Sequence, residues 1–214
     1  MARTKEQEQE RLRALFAYER GLYSAGALVV VGVDEVGRGP LAGPVSAGAC
    51  VLDPGVEIPF LNDSKKLSEK RREEVAALLR EQARACHVAH VAAEVIDACG
   101  IMATLKQAMR EAVTGLALDP DVVLLDGRPL KLWPCEHAIV KGDAKIACVA
   151  AASVLAKVER DAFMREADHF YPGYGFAHNK GYGTAEHTAA IRHLGLTPLH
   201  RRSFCGDFVK SVLF

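Results

Sequence analysis

The stretch Ala27-Leu-Val-Val-Val-Gly-Val-Asp-Glu35, with Val36-Gly-Arg-Gly-Pro-Leu-Ala-Gly-Pro44 behind it, decides how the rest of the chain is read. Residues 27–33 form a short apolar run rich in β-branched side chains, the pattern of a buried strand. Two acids stand directly after it, and a Gly/Pro-rich turn follows. Val45 to Leu52 then reads as a second strand, closed by the turn at Asp53-Pro-Gly55.

Upstream, residues 4–25 read as one amphipathic helix, with Leu12, Leu15, Phe16, Leu22 and Tyr23 at helical spacing and Gly26 as its stop. Downstream, Ser68 looks like the N-cap of a helix reaching about Arg84. Cys86 to Ala93 reads as a strand, and residues 94–99 and 101–117 as helices parted by Gly100. Val122–Leu125 and His137–Val140 are further strands, and Ala144 to about Asp168 is a long alanine-rich helix. The stretch Tyr171 to Gly183 is a loop too aromatic and basic to be a plain linker. A helix near Thr184–Leu194 and a short one near Phe208 close the chain. Strands interspersed with helices predict an α/β sheet with helices packed on it. No repeat or linker divides the chain, so residues 1–27 are expected to be a helical extension and 28–214 one domain.

Composition is that of an ordinary globular protein: 214 residues, 50% hydrophobic and 25% charged, which excludes a disordered or low-complexity chain. The longest charge-free apolar run, Ile146 to Ala156, falls short of the roughly 18 residues a membrane span needs. The mixed-charge N-terminus has no apolar core, so no signal peptide is expected. The six cysteines form no CxxC pair and mostly sit among apolar neighbours, which suggests reduced, buried thiols in a cytoplasmic protein rather than disulfides or a zinc site.

Lys plus Arg and Asp plus Glu both total 27. That neutrality is a cancellation. Residues 28–63 carry one Arg against five acids, and 85–136 carry four bases against seven acids. Residues 64–84 carry seven bases against four acids, and 176–214 five against two. An acidic centre with basic flanks is the distribution of a protein that holds cations and a polyanion together. In this reading Lys65, Lys66, Lys70, Arg71 and Arg72, with Lys180, Arg201 and Arg202, could hold the phosphates of such a polyanion. Lys65, in a turn before the helix, is the best phosphate candidate.

Three apolar strands lead into acids: Asp34-Glu35, Asp126-Gly127 and, through Lys141-Gly142, Asp143. In an open α/β sheet, ligands bind beyond the carboxyl ends of the strands. Each of these dipeptides alone is ordinary turn chemistry. Four carboxylates brought together there repel one another unless cations occupy the gap. Without His or Cys at ligand spacing, the donor set suits Mg²⁺ or Mn²⁺. Two such ions stabilise the attacking and leaving oxygens of an in-line phosphoryl displacement. Successive strand residues face opposite sides, so Asp34 and Glu35 reach one site only if the strand bends, which Gly37 and Gly39 permit.

Val33-Asp-Glu-Val-Gly-Arg-Gly-Pro-Leu-Ala-Gly-Pro-Val45 resembles the signature of type 2 ribonuclease H, the bacterial ribonuclease HII family. Asn62-Asp-Ser-Lys-Lys-Leu-Ser68, Leu125-Asp-Gly127, Val140-Lys-Gly-Asp-Ala-Lys145, Ala151 to Val158, Lys180-Gly-Tyr182 and His200-Arg-Arg-Ser-Phe204 continue the likeness in family order. The resemblance implies an RNase H-like fold, a mixed five-stranded sheet flanked by helices with a small helical C-terminal part. It implies an endonuclease that cuts the RNA strand of RNA–DNA hybrids and 5′ of single ribonucleotides in duplex DNA, leaving 5′-phosphate and 3′-hydroxyl ends. It implies Asp34, Glu35, Asp126 and Asp143 as catalytic metal ligands, and Gly37, Arg38 and Gly39 as readers of the 2′-hydroxyl. Tyr182 becomes the junction-sensing tyrosine, and Asn62, Ser64, Lys65 and Lys180 substrate contacts. The implied partners are RNA–DNA hybrid and ribonucleotide-containing duplex DNA, with a monomer and no obligate protein partner expected. Family members commonly carry His directly before Lys-Gly-Tyr, where this chain has Asn179 with His178 one residue earlier. His87, His90, His169, His187 and His193 read as structural or surface groups.

Three rivals share parts of this pattern. Type 3 ribonuclease H carries a sizeable N-terminal domain, and about 27 residues ahead of the first strand are too few for a second core. Another two-metal nuclease of the same superfold needs no reader of a 2′-hydroxyl, so Gly37–Gly39 and Tyr182 count against it. A hybrid-binding module without catalysis has no use for four repelling acids.

Overall fold

The computed structural model of the chain describes residues 4–209. Five strands, β1 (Val30–Val36), β2 (Val45–Val51), β3 (Ala85–Val91), β4 (Val122–Asp126) and β5 (Glu136–Ile139), form one sheet in the order β3-β2-β1-β4-β5. β1 pairs antiparallel with β2 and parallel with β4, while β2–β3 is antiparallel and β4–β5 parallel. This is the mixed five-stranded α/β sheet that was expected. The helices are α1 (Lys5–Leu15), α2 (Ala17–Ser24), α3 (Glu69–Gln82), α4 (Ala93–Cys99), α5 (Ile101–Thr114), α6 (Ala147–Phe170), α7 (Phe176–Asn179), α8 (Ala185–Leu194) and α9 (Gly206–Val209).

The three central strands are buried on both faces. On one face Val30, Cys50 and Leu124 pack with the N-terminal half of α6, with Val75 and Leu79 of α3, and with Leu12, Leu15 and Phe16 from the N-terminal helices. On the other, Val31, Val33 and Leu125 pack with Leu105, Ala108, Met109 and Ala112 of α5. α6 lies so close to β1 that a Cβ at Gly32 would sit 2.2 Å from the carbonyl carbon of Cys148. A smaller cluster of Ala42, Met164, Tyr174, Phe176 and Ile191 forms the helical C-terminal part.

Three sequence readings change. The single helix over 4–25 is two, because Phe16 adopts ψ 0 and ends the first before the second begins. β1 starts and ends about three residues later than read. The amides of Leu28 and Val29 donate to the Asp121 carboxylate instead of to a strand, and pairing with β2 continues through Asp34, Glu35 and Val36. The aromatic loop 171–183 contains α7, a single turn. All six cysteines are free, and Cys50, Cys148 and Cys205 are buried. Among the described residues no helix is long and apolar enough to cross a membrane.

Candidate active site

Parallel pairing of β1 with β4 ends at Val33↔Leu125, so Asp34 and Asp126 are the next residues along two adjacent strands. Strand alternation puts Asp34 on the α6 face and Glu35 on the opposite one. Both acids remain in the regular ladder with β2, and Gly37 turns the chain only after them. Asp143 does not end a strand. It sits buried in a short 3₁₀ turn, Gly142–Ala144, behind β5, and the Gly142 amide of that turn donates to Asp126 Oδ1 at 2.6 Å.

The electrostatics are those of crowded anions. Burial and then the charge of Glu35 push the Asp34 carboxyl well above its ordinary value, against hydrogen bonding from Ser153. Burial raises Glu35, partly offset by Arg38, whose guanidinium lies 3.3 Å from its Oε1. Burial and the charges of Asp126 and Asp63 raise Asp143, with Lys65 opposing at 3.8 Å. Burial works against the Lys65 ammonium, but Asp143 and Asp34 hold it charged and its pKa is raised.

In this arrangement the acids are drawn toward separate partners: Glu35 to Arg38, Asp126 to a backbone amide and Asp143 to Lys65. Among the described residues no three His, Cys, Asp or Glu side chains close around a common point. The donor chemistry nonetheless fits a hard divalent cation, since all four donors are carboxylates whose mutual repulsion a cation relieves.

The remaining expected site residues divide by placement. Arg38 and Gly39 are exposed, and a Cβ at Gly39 would meet nothing within 4 Å. Gly37 is buried at φ +88, where a Cβ would lie 2.3 Å from Arg160 Nε. Asn62 is half-buried, and its side-chain oxygen accepts from the Asp63 amide. Lys65 is exposed. Ser64 is not: it is buried, and its hydroxyl meets that of Ser153 at 2.9 Å. Lys180 is half-buried in the left-handed region, with its ammonium turned onto the Ala177 carbonyl. Tyr182 is 43% exposed, with its hydroxyl in electrostatic range of the buried Arg160 and Arg201. Asn179 staples its own turn, donating to Tyr174 O and accepting from the Gly181 amide.

Two of the basic residues expected to hold phosphates are not surface cations. Arg72 turns inward onto the carbonyls of Ser64 and Leu67. Arg201 is fully buried and donates to the carbonyls of Gly37, Arg38 and Gly43. Its buried neighbour Arg160 donates to Pro44, Lys180 and Ala42. Together these guanidinium groups clamp the Gly37–Pro44 turn, and backbone bonds from Leu41 and Ala42 to Gly181 stitch that turn to the Tyr182 loop. Sequence reasoning also passed over Ser153 and Asp63, which touch the acids directly or electrostatically. Ser153 had a signal, as the only hydroxyl in the run from Ile146 to Ala156.

A mixed sheet with Asp34 and Asp126 side by side at the carboxyl ends of two parallel strands, and α6 laid across them, is a ribonuclease H-like fold. Ribonuclease H2 from Pyrococcus horikoshii OT3 superposes with a TM-score of 0.74 at 25% identity, covering 86% of this chain and 98% of that one. The RNase HII of Archaeoglobus fulgidus, solved in a complex with PCNA, gives a TM-score of 0.67 at 26% identity, covering 81% and 93%. The sequence narrows the class further. Ribonuclease HII of Moorella thermoacetica is 50% identical over 198 residues, 92% of this chain and 96% of that protein, and the Ribonuclease HII family model matches residues 31–206. The chain belongs to the Ribonuclease HII family, and is a ribonuclease H, an endonuclease of a divalent-metal-dependent family.

Proposed function

We propose that this ribonuclease H hydrolyses RNA within RNA–DNA hybrids and also cuts 5′ of a single ribonucleotide embedded in duplex DNA, leaving 5′-phosphate and 3′-hydroxyl ends. Asp34, Glu35, Asp126 and Asp143 would hold two divalent cations, Mg²⁺ or Mn²⁺. The observation that carries this reading is the register of Asp34 beside Asp126 on adjacent parallel strands, with Asp143 one turn away and all three in electrostatic range. When bound, the cations supply an activated water and neutralise charge on the scissile phosphate.

The chain's own residues do the rest. Lys65, exposed at the rim, meets a phosphate, and Asn62 lies beside it. Selectivity needs a reader of the 2′-hydroxyl, the group that separates RNA from DNA. The Gly37–Gly39 turn is suited to reading it, because Arg201 fixes its backbone from behind while Gly39 leaves open space for a sugar. Tyr182 presents an exposed ring on the adjoining loop and packs on the neighbouring sugar. Arg38 moves between Glu35 and the substrate backbone. Lys180 holds its own loop in shape and contributes positive charge behind Tyr182.

The test is incubation with Mg²⁺ or Mn²⁺ and three duplexes: an RNA–DNA hybrid, DNA with one ribonucleotide, and all DNA. Cleavage of the first two alone is expected. Equal cutting of all-DNA duplex, or none of the single-ribonucleotide substrate, overturns the reading.

A further inference from the structure

His187 and His200 are both fully enclosed, at 0% and 2% exposure, and their Nε2 atoms lie 3.1 Å apart. Backbone groups at either end favour one arrangement of protons. His187 Nδ1 is 2.9 Å from the Tyr182 carbonyl, which only accepts, so Nδ1 carries the hydrogen. His200 Nδ1 lies 2.9 Å from the Thr197 amide nitrogen, which only donates, and 2.9 Å from the Thr197 hydroxyl, which can donate as well, so Nδ1 is the acceptor. With one proton per ring, His200 Nε2 donates to His187 Nε2, and the order runs Thr197 N–H to His200 to His187 to Tyr182 O. A second proton on either ring breaks a link: on His200 it faces the Thr197 amide, and on His187 it faces the His200 N–H.

The surroundings favour neutral rings. Tyr174 and Phe176 pack against the pair at 5.1 and 5.3 Å between centroids. Burial holds both imidazoles below their ordinary value, His200 down to about 4 with His187 beside it. The charges adjacent in the chain are Glu186, exposed beside His187, and Arg201 beside His200, whose guanidinium points at the Gly37 turn.

The chain of hydrogen bonds ends on Tyr182. That residue's carbonyl also accepts from the Thr184 amide, and its own amide donates to the Asn179 carbonyl, so the backbone is pinned on both sides while the residue as a whole remains exposed. His200 also bridges to Ala42 in the turn that follows Gly37–Gly39. We propose that His200 and His187 are positioning residues that set the Tyr182 ring, through a directional pair of neutral imidazoles, in register with the Gly37–Gly39 turn. The inference rests on the substrate-reading role proposed for Tyr182.

Two measurements test it. Nitrogen-15 NMR of histidine-labelled, metal-free protein should show His187 protonated at Nδ1 and His200 at Nε2, both neutral at about pH 6. Two Nε2–H rings, or a charged ring at that pH, overturn the proton order. The second compares His200→Asn, which loses the donor at Nε2, with His200→Gln, which places an amide donor there. His200→Asn should lower the ratio of single-ribonucleotide to hybrid cleavage by about tenfold, with His200→Gln restoring most of it. In a Tyr182→Ala background the Asn substitution should add less than about twofold, because the two act as one unit. A full tenfold loss in that background overturns the proposal. Tyr182→Ala cutting like wild type instead removes the role of Tyr182, while the spectra still decide the proton order.

Discussion

The guanidinium of Arg201 donates to the carbonyl of Gly37 at 2.6 Å from a fully buried position, and among the described residues no carboxylate lies within ion-pair distance of it. Burial and the neighbouring charge of Arg160 push Arg201 down to about 10. An arginine kept charged there is held by carbonyl dipoles, and in return it fixes the direction of the turn proposed to read ribose.

Replacing Arg201 therefore tests a clamp. Lysine offers a point charge where a planar fork now serves three carbonyls. Arg201→Lys should destabilise the fold by about 2–3 kcal/mol, the cost of leaving buried acceptors unpaired. Urea titration should show a lower midpoint with an unchanged slope. A lysine variant as stable as wild type means the carbonyls find other donors.

Gly37 and Gly39 should part company when each becomes alanine. At Gly37 the positive φ and the 2.3 Å approach to Arg160 Nε both oppose a side chain, so Gly37→Ala should cost about 1–3 kcal/mol. At Gly39 an added methyl meets open space, and stability should stay within about 0.5 kcal/mol. Cleavage at an embedded ribonucleotide should still fall on the order of tenfold for Gly39→Ala, because the methyl stands where the sugar is proposed to approach. Wild-type cleavage by Gly39→Ala would place the reader elsewhere.

These contrasts also mark where sequence reading stops. Acids following apolar runs announce Asp34, Asp126 and Asp143, because strand composition and turn chemistry are local. Which of two adjacent arginines turns inward is not local. Arg201 and Arg202 look alike in the chain, and only the fold brings the Gly37, Arg38 and Gly43 carbonyls to the first while Arg202 stays exposed. The same holds for His187 and His200, whose contact forms only when α8 packs against the segment after it. The late start of β1 was hidden for a similar reason: Asp121, far along the chain, takes the amides of Leu28 and Val29.

The acid cluster should make the metal-free protein less stable as pH rises. Asp34, Glu35 and Asp143 all have raised values, so the folded state binds more protons than the unfolded one above the ordinary carboxylate range. Stability then falls as pH climbs through the raised values. His187 and His200, lowered in the fold, act oppositely at the acid end, so the comparison is between Asp34→Asn and wild type, which share them. Without metal, Asp34→Asn should melt about 2–4 °C higher near neutrality, the shift that about 1 kcal/mol produces in a chain of this size. The gap should widen as pH rises above the ordinary carboxylate range and through the raised value of Asp34. Mg²⁺ or Mn²⁺ should raise the melting temperature of wild type more than that of the variant. A gap that is flat in pH and indifferent to cation would show that Asp34 carries neither the strain nor the ion.

Glu19 gives the N-terminal helices a measurable role. The first turn of α6 has no side-chain cap of its own, and Glu19 of α2 supplies one, accepting from the Cys148 amide at 2.6 Å. Its other carboxylate oxygen is buried without a hydrogen-bond partner, and burial raises its pKa above the ordinary 4.5. Glu19→Ala removes the cap and should cost about 1–2 kcal/mol. Glu19→Gln keeps an acceptor for Cys148 and removes the buried charge. Because the folded-state value is raised, the wild-type contribution weakens as pH rises above 4.5, and glutamine carries no such slope. The glutamine variant should therefore gain on wild type in thermal melts as pH increases, while the alanine variant stays below the glutamine variant throughout. An alanine variant that melts with wild type would mean that α6 begins under the sheet without help from the N-terminal helices.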